Sequence, residues 1–183
     1  MAIKSTIYKA TLQIADMDRH YYADHALRIA RHPSETDERM MMRCLAFALN
    51  AGEALAFGKG LSDADEPDLW QRDLTGAIQL WIEVGQPDEK RILRACGRAG
   101  QVLVYAYSHS ASLWWKPIAG KLERARNLTV YSIAASTAAA LSKLAERAMN
   151  LQCTIHEGEI WMRNDDAAVK VEMATLMAPP PGR

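Results

Sequence analysis

The chain has 183 residues and no net charge, because 22 lysines and arginines balance 22 aspartates and glutamates. This length predicts a single domain with a sizeable core, which we place at residues 1–177. The charge balance excludes a strong overall field, so any attraction to nucleic acid or anionic lipid needs a local basic patch. No apolar run is long enough to span a membrane, and the first residues lack a signal peptide's apolar segment. We therefore expect a cytoplasmic protein.

The N-terminal part of the chain predicts a β-hairpin followed by a helix. Residues 2–15 and 20–29 are rich in strand-forming side chains and flank a short polar turn. A helix is predicted from Ser34 to Asn50, because Ser34 is a suitable N-cap and Asp37 stands at the capping-box position. The sequence thus indicates mixed α and β structure from its start.

The middle of the chain predicts a crossover unit. A helix is expected to open at Pro87 and to end near Ala99, and the strand that follows is apolar on both faces, which is typical of a central parallel strand. Strand, helix and parallel strand would then be joined by a crossover. The predicted strands of this region are 55–57, 69–72, 77–85 and 102–107. An acidic loop is predicted at 63–68.

The C-terminal part predicts alternating elements, a closing β-meander and a tail. Its proline-rich end, residues 178–183, is expected to be disordered. The predicted elements are a helix at 110–116, a strand at 128–131, an alanine-rich helix at 136–149, and meander strands at 150–155, 160–163 and 168–175.

Glu83 is the most informative residue, because it lies in a segment that otherwise resembles a buried strand. Side chains of a strand alternate in direction, so Trp81 and Glu83 share one face while Ile82 points to the other. An isolated buried charge costs several kcal/mol. A carboxylate at this position therefore has to be paired, protonated or bound to a cation.

Further acids could supply such a cation site. Glu35 and Glu38 begin the apolar stripe of the first predicted helix, where they also suit the helix dipole. The loop before the Glu83 strand carries Asp63, Asp65, Glu66 and Asp68. Crowded carboxylates repel one another unless a cation is present, and Mg²⁺ prefers oxygen ligands. The alternatives are ordinary first-turn acids and a solvated acidic loop.

A basic stripe follows the Glu83 strand. Lys90, Arg94 and Arg98 recur every four residues along the predicted helix, and Arg91 lies on the flank of this stripe. Positive charge for a phosphate backbone beside carboxylates for a metal is what a phosphodiester substrate requires. The alternative is a solvated helix face.

Three segments together resemble the YaeQ family of bacterial proteins: 30–40 (ARHPSETDERM), 65–70 (DEPDLW) and 80–92 (LWIEVGQPDEKRI). The resemblance runs over nearly the whole chain. That family is similar in fold to the PD-(D/E)XK nuclease superfamily. The resemblance implies an α/β fold with a restriction-endonuclease-like core, in which a helix, a mixed sheet and a crossover helix are extended by N-terminal and C-terminal strands.

The resemblance also implies a site. It assigns Glu38 as the helix carboxylate, and Asp68 and Glu83 as ligands of Mg²⁺, for which Mn²⁺ could substitute. Asp65 is the alternative loop ligand. The metal would activate water for attack on phosphorus. The lysine that such nucleases carry two residues after the second acid is replaced by Gly85, so a basic group would have to come from elsewhere, with Lys90 or Lys59 as candidates.

Three functions follow as hypotheses. The first is Mg²⁺-dependent cleavage of nucleic acid with a degenerate motif. The second is a non-catalytic nucleic-acid-binding or transcription-associated protein that binds through Lys90, Arg94 and Arg98. The third is a structural, partner-binding domain in which Glu83 pairs with an arginine such as Arg39 or Arg72.

Overall fold

The computed structural model describes residues 4–181 and confirms a mixed α/β fold with two mixed sheets. The chain divides into two compact units. The first comprises the residues up to Leu49 together with Ser136–Glu172, and the second comprises Asn50–Ala135 and the residues from Met173 onward. Each unit contains one of the sheets. The single domain over 1–177 stays a prediction.

The described residues form eleven strands and four α-helices. In chain order they are β1 (Thr6–Asp16), β2 (Tyr21–Arg31), α1 (Asp37–Asn50), β3 (Leu55–Phe57), β4 (Leu69–Arg72), β5 (Ile78–Val84), α2 (Glu89–Arg98), β6 (Ala99–Tyr107), α3 (Ala111–Leu122), β7 (Leu128–Ile133), α4 (Ala135–Ser142), β8 (Ala148–His156), β9 (Glu159–Arg163), β10 (Ala168–Lys170) and β11 (Met173–Met177). A short 3-10 helix spans Gly60–Ser62.

The sheet of the first unit has the strand order β10-β9-β8-β1-β2. The predicted N-terminal hairpin is confirmed, because β1 pairs with β2 in an antiparallel register, whereas β1 and β8 are parallel. Residues 2 and 3 of the predicted first strand lie outside the described residues. Side chains alternate along β1, so that Leu12 and Ile14 are buried while Thr11 and Gln13 are exposed. One face of this sheet is therefore solvated.

Helix α1 begins at Asp37, three residues later than predicted. Thr36 caps it, because its Oγ1 accepts a hydrogen bond from the N–H of Arg39 at 3.1 Å. Ser34 instead pairs with Nδ1 of His32 at 2.6 Å. The prediction of Ser34 as the cap was wrong. All residues from Met40 to Ala48 are buried.

The sheet of the second unit has the order β11-β7-β6-β5-β4-β3. The predicted crossover is confirmed, because β5, β6 and β7 are parallel neighbours joined by α2 and α3. β4 and β5 form an antiparallel hairpin. Successive crossovers of the same hand place both helices on one face of the sheet. The core on that face contains Trp81, Ile92, Ala95, Val102, Val104, Leu122, Leu128 and Val130.

Two C-terminal predictions were wrong. The alanine-rich helix ends at Ser142 instead of continuing to 149, because residues from Ala148 pair with β1 from Lys9 onward. Residues 168–175 do not form one strand. They are divided between β10, which pairs with β9, and β11, which pairs with β7 in the other sheet.

Two further observations concern the end of the chain and its helices. Residues 178–181 have no regular secondary structure, and the last two residues of the predicted disordered tail lie outside the described residues. No helix in the described part of the chain is long and apolar enough to cross a membrane.

Candidate functional site

Glu83 is buried on β5 and is paired through a single oxygen. Its side chain is 5% exposed. Oε1 accepts a hydrogen bond from Nε1 of Trp81 at 2.8 Å and another from Nε of Arg91 at 2.8 Å. Within residues 4–181, no donor contacts Oε2. The shared face of Trp81 and Glu83, predicted from strand alternation, is thus used for a direct contact.

Arg91 connects Glu83 to the acidic loop. Its Nη1 donates to the carbonyl oxygen of Ala64 at 2.6 Å, and its Nη2 donates to that of Glu66 at 3.0 Å. The arginine partner of Glu83 is therefore Arg91, and the suggestion of Arg39 or Arg72 was wrong. Arg91 lies on the first turn of α2, which follows directly from β5, so its proximity to Glu83 could have been anticipated from the short connection.

Arg98 makes a second link between α2 and the loop. Its Nη1 donates to the carbonyl oxygen of Asp65 at 3.3 Å, and its guanidinium lies 5.2 Å from the ring centroid of Trp81. Such a cation–π contact stabilises a partly exposed arginine. Two arginines of the basic helix are thus engaged in holding residues 64–66 against β5.

Asp68 lies beside Glu83 because of how the loop enters β4. Asp68 is 1% exposed, and its Oδ2 accepts a hydrogen bond from the N–H of Val84 at 2.8 Å. Gly60 has φ +52°, and a Cβ there would lie 2.8 Å from Oδ1 of Asp68. A Cβ at Gly58 would lie 2.1 Å from the carbonyl oxygen of Pro67. The segment that contains Gly58 and Gly60 therefore requires glycine at both positions, so that it can pack against Pro67 and Asp68.

Burial and Asp68 both affect the pKa of Glu83. Burial raises the pKa of the Glu83 carboxyl, and the negative charge of Asp68 raises it further. Arg91 and Trp81 oppose this shift with their charge and hydrogen bonds, yet the pKa of Glu83 stays above its ordinary value. Protonation of Glu83 is thus easier than that of an exposed glutamate.

Position 85, where the resemblance to nucleases led us to expect a lysine, has an unusual backbone. Gly85 has φ +108°, and its N–H donates to the carbonyl oxygen of Tyr105 at 2.9 Å. A Cβ would meet no atom within 4 Å, so there is space for a side chain. The backbone conformation, however, strains any residue with a Cβ. The local backbone conformation therefore favours glycine over lysine at position 85.

The other predicted site residues have different surroundings. Asp65 is exposed, and its N–H donates to Oδ1 of Asp63 at 2.9 Å. Lys59 and Lys90 are also exposed. Glu38 is half-buried on α1 in the first unit. The structure thus brings together Asp68 and Glu83 within one unit, and the assignments of Asp65, Lys90 and Glu38 stay predictions.

The donor set around Glu83 fits a guanidinium in this conformation. Oε1 of Glu83 and Oδ2 of Asp68 already accept hydrogen bonds from the protein. In the described part of the chain, no group of three or more His, Cys, Asp or Glu residues is placed to hold a metal ion. Trp81 and Arg91 both donate to Oε1 of Glu83, so a divalent cation could bind that oxygen only if Arg91 moved away. Magnesium binding stays a prediction.

A second buried acid lies in the first unit, and the sequence offered it either as a contributor to a cation site or as an ordinary first-turn acid. Glu35 is 3% exposed and accepts two hydrogen bonds from Arg43, Nε to Oε1 and Nη2 to Oε2, both at 2.7 Å. Nη1 of Arg39 donates to Oε1 at 3.1 Å. The spacing of four residues from Glu35 to Arg39 to Arg43 was the available signal.

The chain is similar to proteins of one family. Residues 1–173 match the family profile described as YaeQ protein. The proteins named "Uncharacterized protein YaeQ" of Escherichia coli strain K12 and of Salmonella typhi are each 44% identical to it over 180 residues, covering 98% of this chain and 99% of theirs.

Solved structures agree with these sequence matches. The YaeQ protein from Xanthomonas axonopodis pv. citri has 47% identity and a TM-score of 0.92, covering 96% of this chain and 99% of that one. The YaeQ protein from Pseudomonas syringae has 36% identity and a TM-score of 0.91, covering 95% and 97%. The chain described above therefore belongs to the YaeQ family.

Proposed function

We propose that this protein binds nucleic acid through α2 and α3 without cleaving it, on a unit related to the PD-(D/E)XK nuclease core. The observation that carries the non-catalytic part is the contact of Arg91 with Oε1 of Glu83. In the arrangement that the family resemblance implies, the guanidinium of Arg91 takes the place of the metal, and Gly85 at φ +108° disfavours the usual lysine. The acid pair therefore serves to fix the loop at residues 64–66 on β5.

The positive charge of α2, α3 and the residues that follow each helix, which we call the helical layer, supports binding to a polyanion. Residues 89–127 carry eight lysines and arginines but only two glutamates, a local charge of +6 in a chain without net charge. Glu89 pairs with Lys121 at 3.3 Å, which links α2 to α3. Seven of the eight basic side chains are exposed: Lys90, Arg94, Arg98, Lys116, Lys121, Arg124 and Arg126.

This layer suits contacts to phosphates better than contacts to bases. Long basic side chains on two adjoining helices can neutralise several phosphates and release their counterions. The binding that we propose is accordingly salt-dependent and weakly dependent on sequence. Because Arg98 is held by Asp65 and Trp81, Lys90 and Arg94 are the better residues to alter.

One observation favours Mg²⁺-dependent cleavage as a second candidate function. Asp68 and Glu83 are adjacent, and within the described residues Oε2 of Glu83 has no donor from the protein. Two neighbouring carboxylates attract a divalent cation. This function requires Arg91 to move away from Glu83 when the substrate or the metal binds.

Fluorescence anisotropy with labelled duplex DNA and RNA tests binding. Replacement of Lys90 and Arg94 by alanine should raise Kd at least tenfold and reduce the slope of log K against log salt by about 2. Replacement of Lys4 and Lys143, which are exposed lysines of the first unit, removes the same charge and should have little effect. Equal effects of the two double variants, or no binding by the wild type, would contradict the proposal.

A cleavage assay with Mg²⁺ or Mn²⁺ separates the two candidates. The wild type should leave DNA and RNA intact, and Glu83→Ala should bind duplex as the wild type does. Cleavage by the wild type that Glu83→Ala abolishes would overturn the non-catalytic proposal in favour of the second candidate.

A further inference from the structure

The solvated face of the five-stranded sheet carries a groove that is separate in sequence from both the Glu83 site and the basic helices α2 and α3. Two adjoining depressions, of about 430 and 310 Å³, share Thr11 of β1 and Asn150 of β8. Thr11 lies directly between Ala26 of β2 and Asn150. The small alanines at 26 and 148 leave the floor of the larger depression open. We call these two depressions the sheet groove.

One end of the sheet groove has an unbalanced positive charge. Lys9 and Arg28 are direct cross-strand partners, both are exposed, and both line the larger depression. Like charges directly opposite each other destabilise a strand pair. Within the described residues, neither side chain has a carboxylate at salt-bridge distance. An anion placed between them would relieve the repulsion, and the end of the groove therefore fits a phosphate group.

The centre of the sheet groove offers neutral hydrogen-bonding groups. Thr11, Gln13 and Asn150 line it, and in the described part of the chain their side chains bond to no other residue. Hydroxyl and amide groups both donate and accept, as recognition of sugars and base edges requires. Asp165 lines this centre, and the cross-strand row through Gln13 has Asp24 on one side and Arg163, bonded to Gln152, on the other, so acidic and basic groups offset each other there. Lys9 and Arg28 have no carboxylate at salt-bridge distance among the described residues, so a phosphate fits better at their end.

The same face carries two exposed aromatic side chains beyond the groove. Tyr22 is 62% exposed and Trp161 is 39% exposed. They lie in one cross-strand row, in which Tyr22 pairs with Ala15, Ala15 with Thr154, and Thr154 with Trp161. This row is six residues, or about 20 Å, from the row of Lys9. Exposed aromatic rings on a sheet are platforms on which unpaired bases stack.

We propose that this face binds a short single strand of nucleic acid, with a phosphate between Lys9 and Arg28 and bases directed along the sheet groove to Tyr22 and Trp161. Charge at one end, hydrogen-bonding groups in the middle and aromatic rings at the other end match a single strand, whose bases are free to stack. A duplex presents no such bases. The site lies in the first unit and does not depend on the proposed role of α2 and α3.

Anisotropy with labelled eight-nucleotide oligo-dT and oligo-U tests this site. Lys9→Ala/Arg28→Ala should raise Kd at least tenfold and lower the salt slope by about 1.4, which corresponds to two phosphate contacts to a single strand. Tyr22→Ala should weaken binding roughly fivefold or more. Lys4→Ala/Lys143→Ala removes equal charge and should leave Kd within twofold. All altered residues are exposed, and thermal unfolding confirms that each variant is folded.

The two proposals can fail separately. Lys90→Ala/Arg94→Ala should retain single-strand binding if the sheet groove is the site. Loss of single-strand binding in that variant, with normal binding by Lys9→Ala/Arg28→Ala, would overturn the sheet groove and leave the role of α2 and α3 standing. No binding of either oligonucleotide by the wild type at low salt would also overturn it.

Discussion

The two buried glutamates among the described residues, Glu35 and Glu83, differ in how many of their carboxylate oxygens accept hydrogen bonds. In the first unit, both carboxylate oxygens of Glu35 accept hydrogen bonds from Arg43, and Oε1 also accepts one from Arg39. Glu83 in the second unit receives Trp81 and Arg91 on Oε1 alone, and it lies beside Asp68. Glu35 forms an ion pair in which both carboxylate oxygens are bonded to Arg43, which we call a closed ion pair. Glu83 and Asp68 form a pair of neighbouring acids, and one arginine, Arg91, holds Glu83 in place.

This difference shows why a buried acid is by itself weak support for a catalytic site. Both glutamates satisfy the requirement for a partner that burial imposes. Glu83 has Asp68 as a neighbouring carboxylate and a partner, Arg91, whose other donors bind a loop, whereas Glu35 is bonded by two arginines. Removal of the arginines should therefore have different consequences in the two units.

The largest effect is expected for Arg43→Ala. This change leaves the buried Glu35 carboxylate with the 3.1 Å hydrogen bond from Arg39, and loss of one partner of a buried pair costs about 3–5 kcal/mol. Urea unfolding measures the loss. Arg39→Ala is the matched control, because its bond to Glu35 is longer and its side chain is 17% exposed. It should cost about 1–2 kcal/mol. Equal losses for both variants would contradict a closed pair centred on Arg43.

Arg91→Ala should destabilise the protein less but loosen a defined segment. Its side chain is 27% exposed, so water can partly replace it, and we expect a loss of about 2 kcal/mol. Residues 64–66 lose two of their hydrogen bonds, and their amide exchange should become faster. Arg94→Ala on the same helix is exposed and should change stability by less than about 0.5 kcal/mol.

The same variant distinguishes a held acid pair from a latent metal site. With Arg91 removed, Asp68 and Glu83 repel each other without compensation, so Mn²⁺ should bind more tightly than to the wild type, as titration calorimetry measures. Unchanged amide exchange at 64–66 would contradict the role of Arg91 as the link between Glu83 and the loop.

Gly85→Lys should cost about 1–2 kcal/mol, because φ +108° strains a residue with a Cβ. It restores the motif lysine in sequence, and we expect it to produce no nuclease activity while Arg91 stays on Glu83. Gly97→Ala is a control of opposite sign. Gly97 is on α2, where a Cβ meets no atom within 4 Å, so alanine should stabilise the helix by about 0.5–1 kcal/mol. A neutral Gly85→Lys would show that the backbone does not exclude lysine.

Local patterns predicted much of the fold. The hairpin β1–β2, the strand β5 and the crossover to β6 follow from apolar alternation and from the glycines and prolines between elements. The alanine-rich segment was assigned too much helix because its last residues pair with β1, which lies far away in sequence. Helix propensity could not reveal that competing contact. The same limit explains the division of 168–175 between two sheets.

The candidate site at Glu83 could be predicted only in part, because its remaining features depend on contacts between segments that are separate in sequence. Strand alternation predicted that Glu83 is buried beside Trp81, and loop composition placed Asp68 near it. The partner was missed because Arg91, Arg94 and Arg98 have the same chemistry, and only their angular positions around α2 distinguish them. Gly85 was recognised as a missing lysine, but its positive φ depends on the contact of its N–H with Tyr105.

The smallest effect is expected for Glu83→Gln, and it appears in the pH dependence. Because the pKa of Glu83 is raised in the folded state, the folded protein holds this proton more tightly than the unfolded chain does. The resulting stabilisation is complete below the ordinary pKa of about 4.5 and is lost as pH rises through the folded pKa. Glutamine does not titrate, so the stability of the variant relative to the wild type should increase with pH above about 4.5.

Urea unfolding of both proteins between pH 4 and 8 measures this difference, in which the titration of all other groups largely cancels. Glu159→Gln is a control of opposite sign, because the hydrogen bond and charge of Lys170 lower the pKa of Glu159, so the stability of that variant relative to the wild type should fall as pH rises. For Glu83→Gln, a difference that falls as pH rises would mean that Arg91 stabilises the charged form of Glu83 more than burial and Asp68 oppose it. Glu83 would then be held charged by its ion pair with Arg91, and its adjacency to Asp68 would no longer favour a cation.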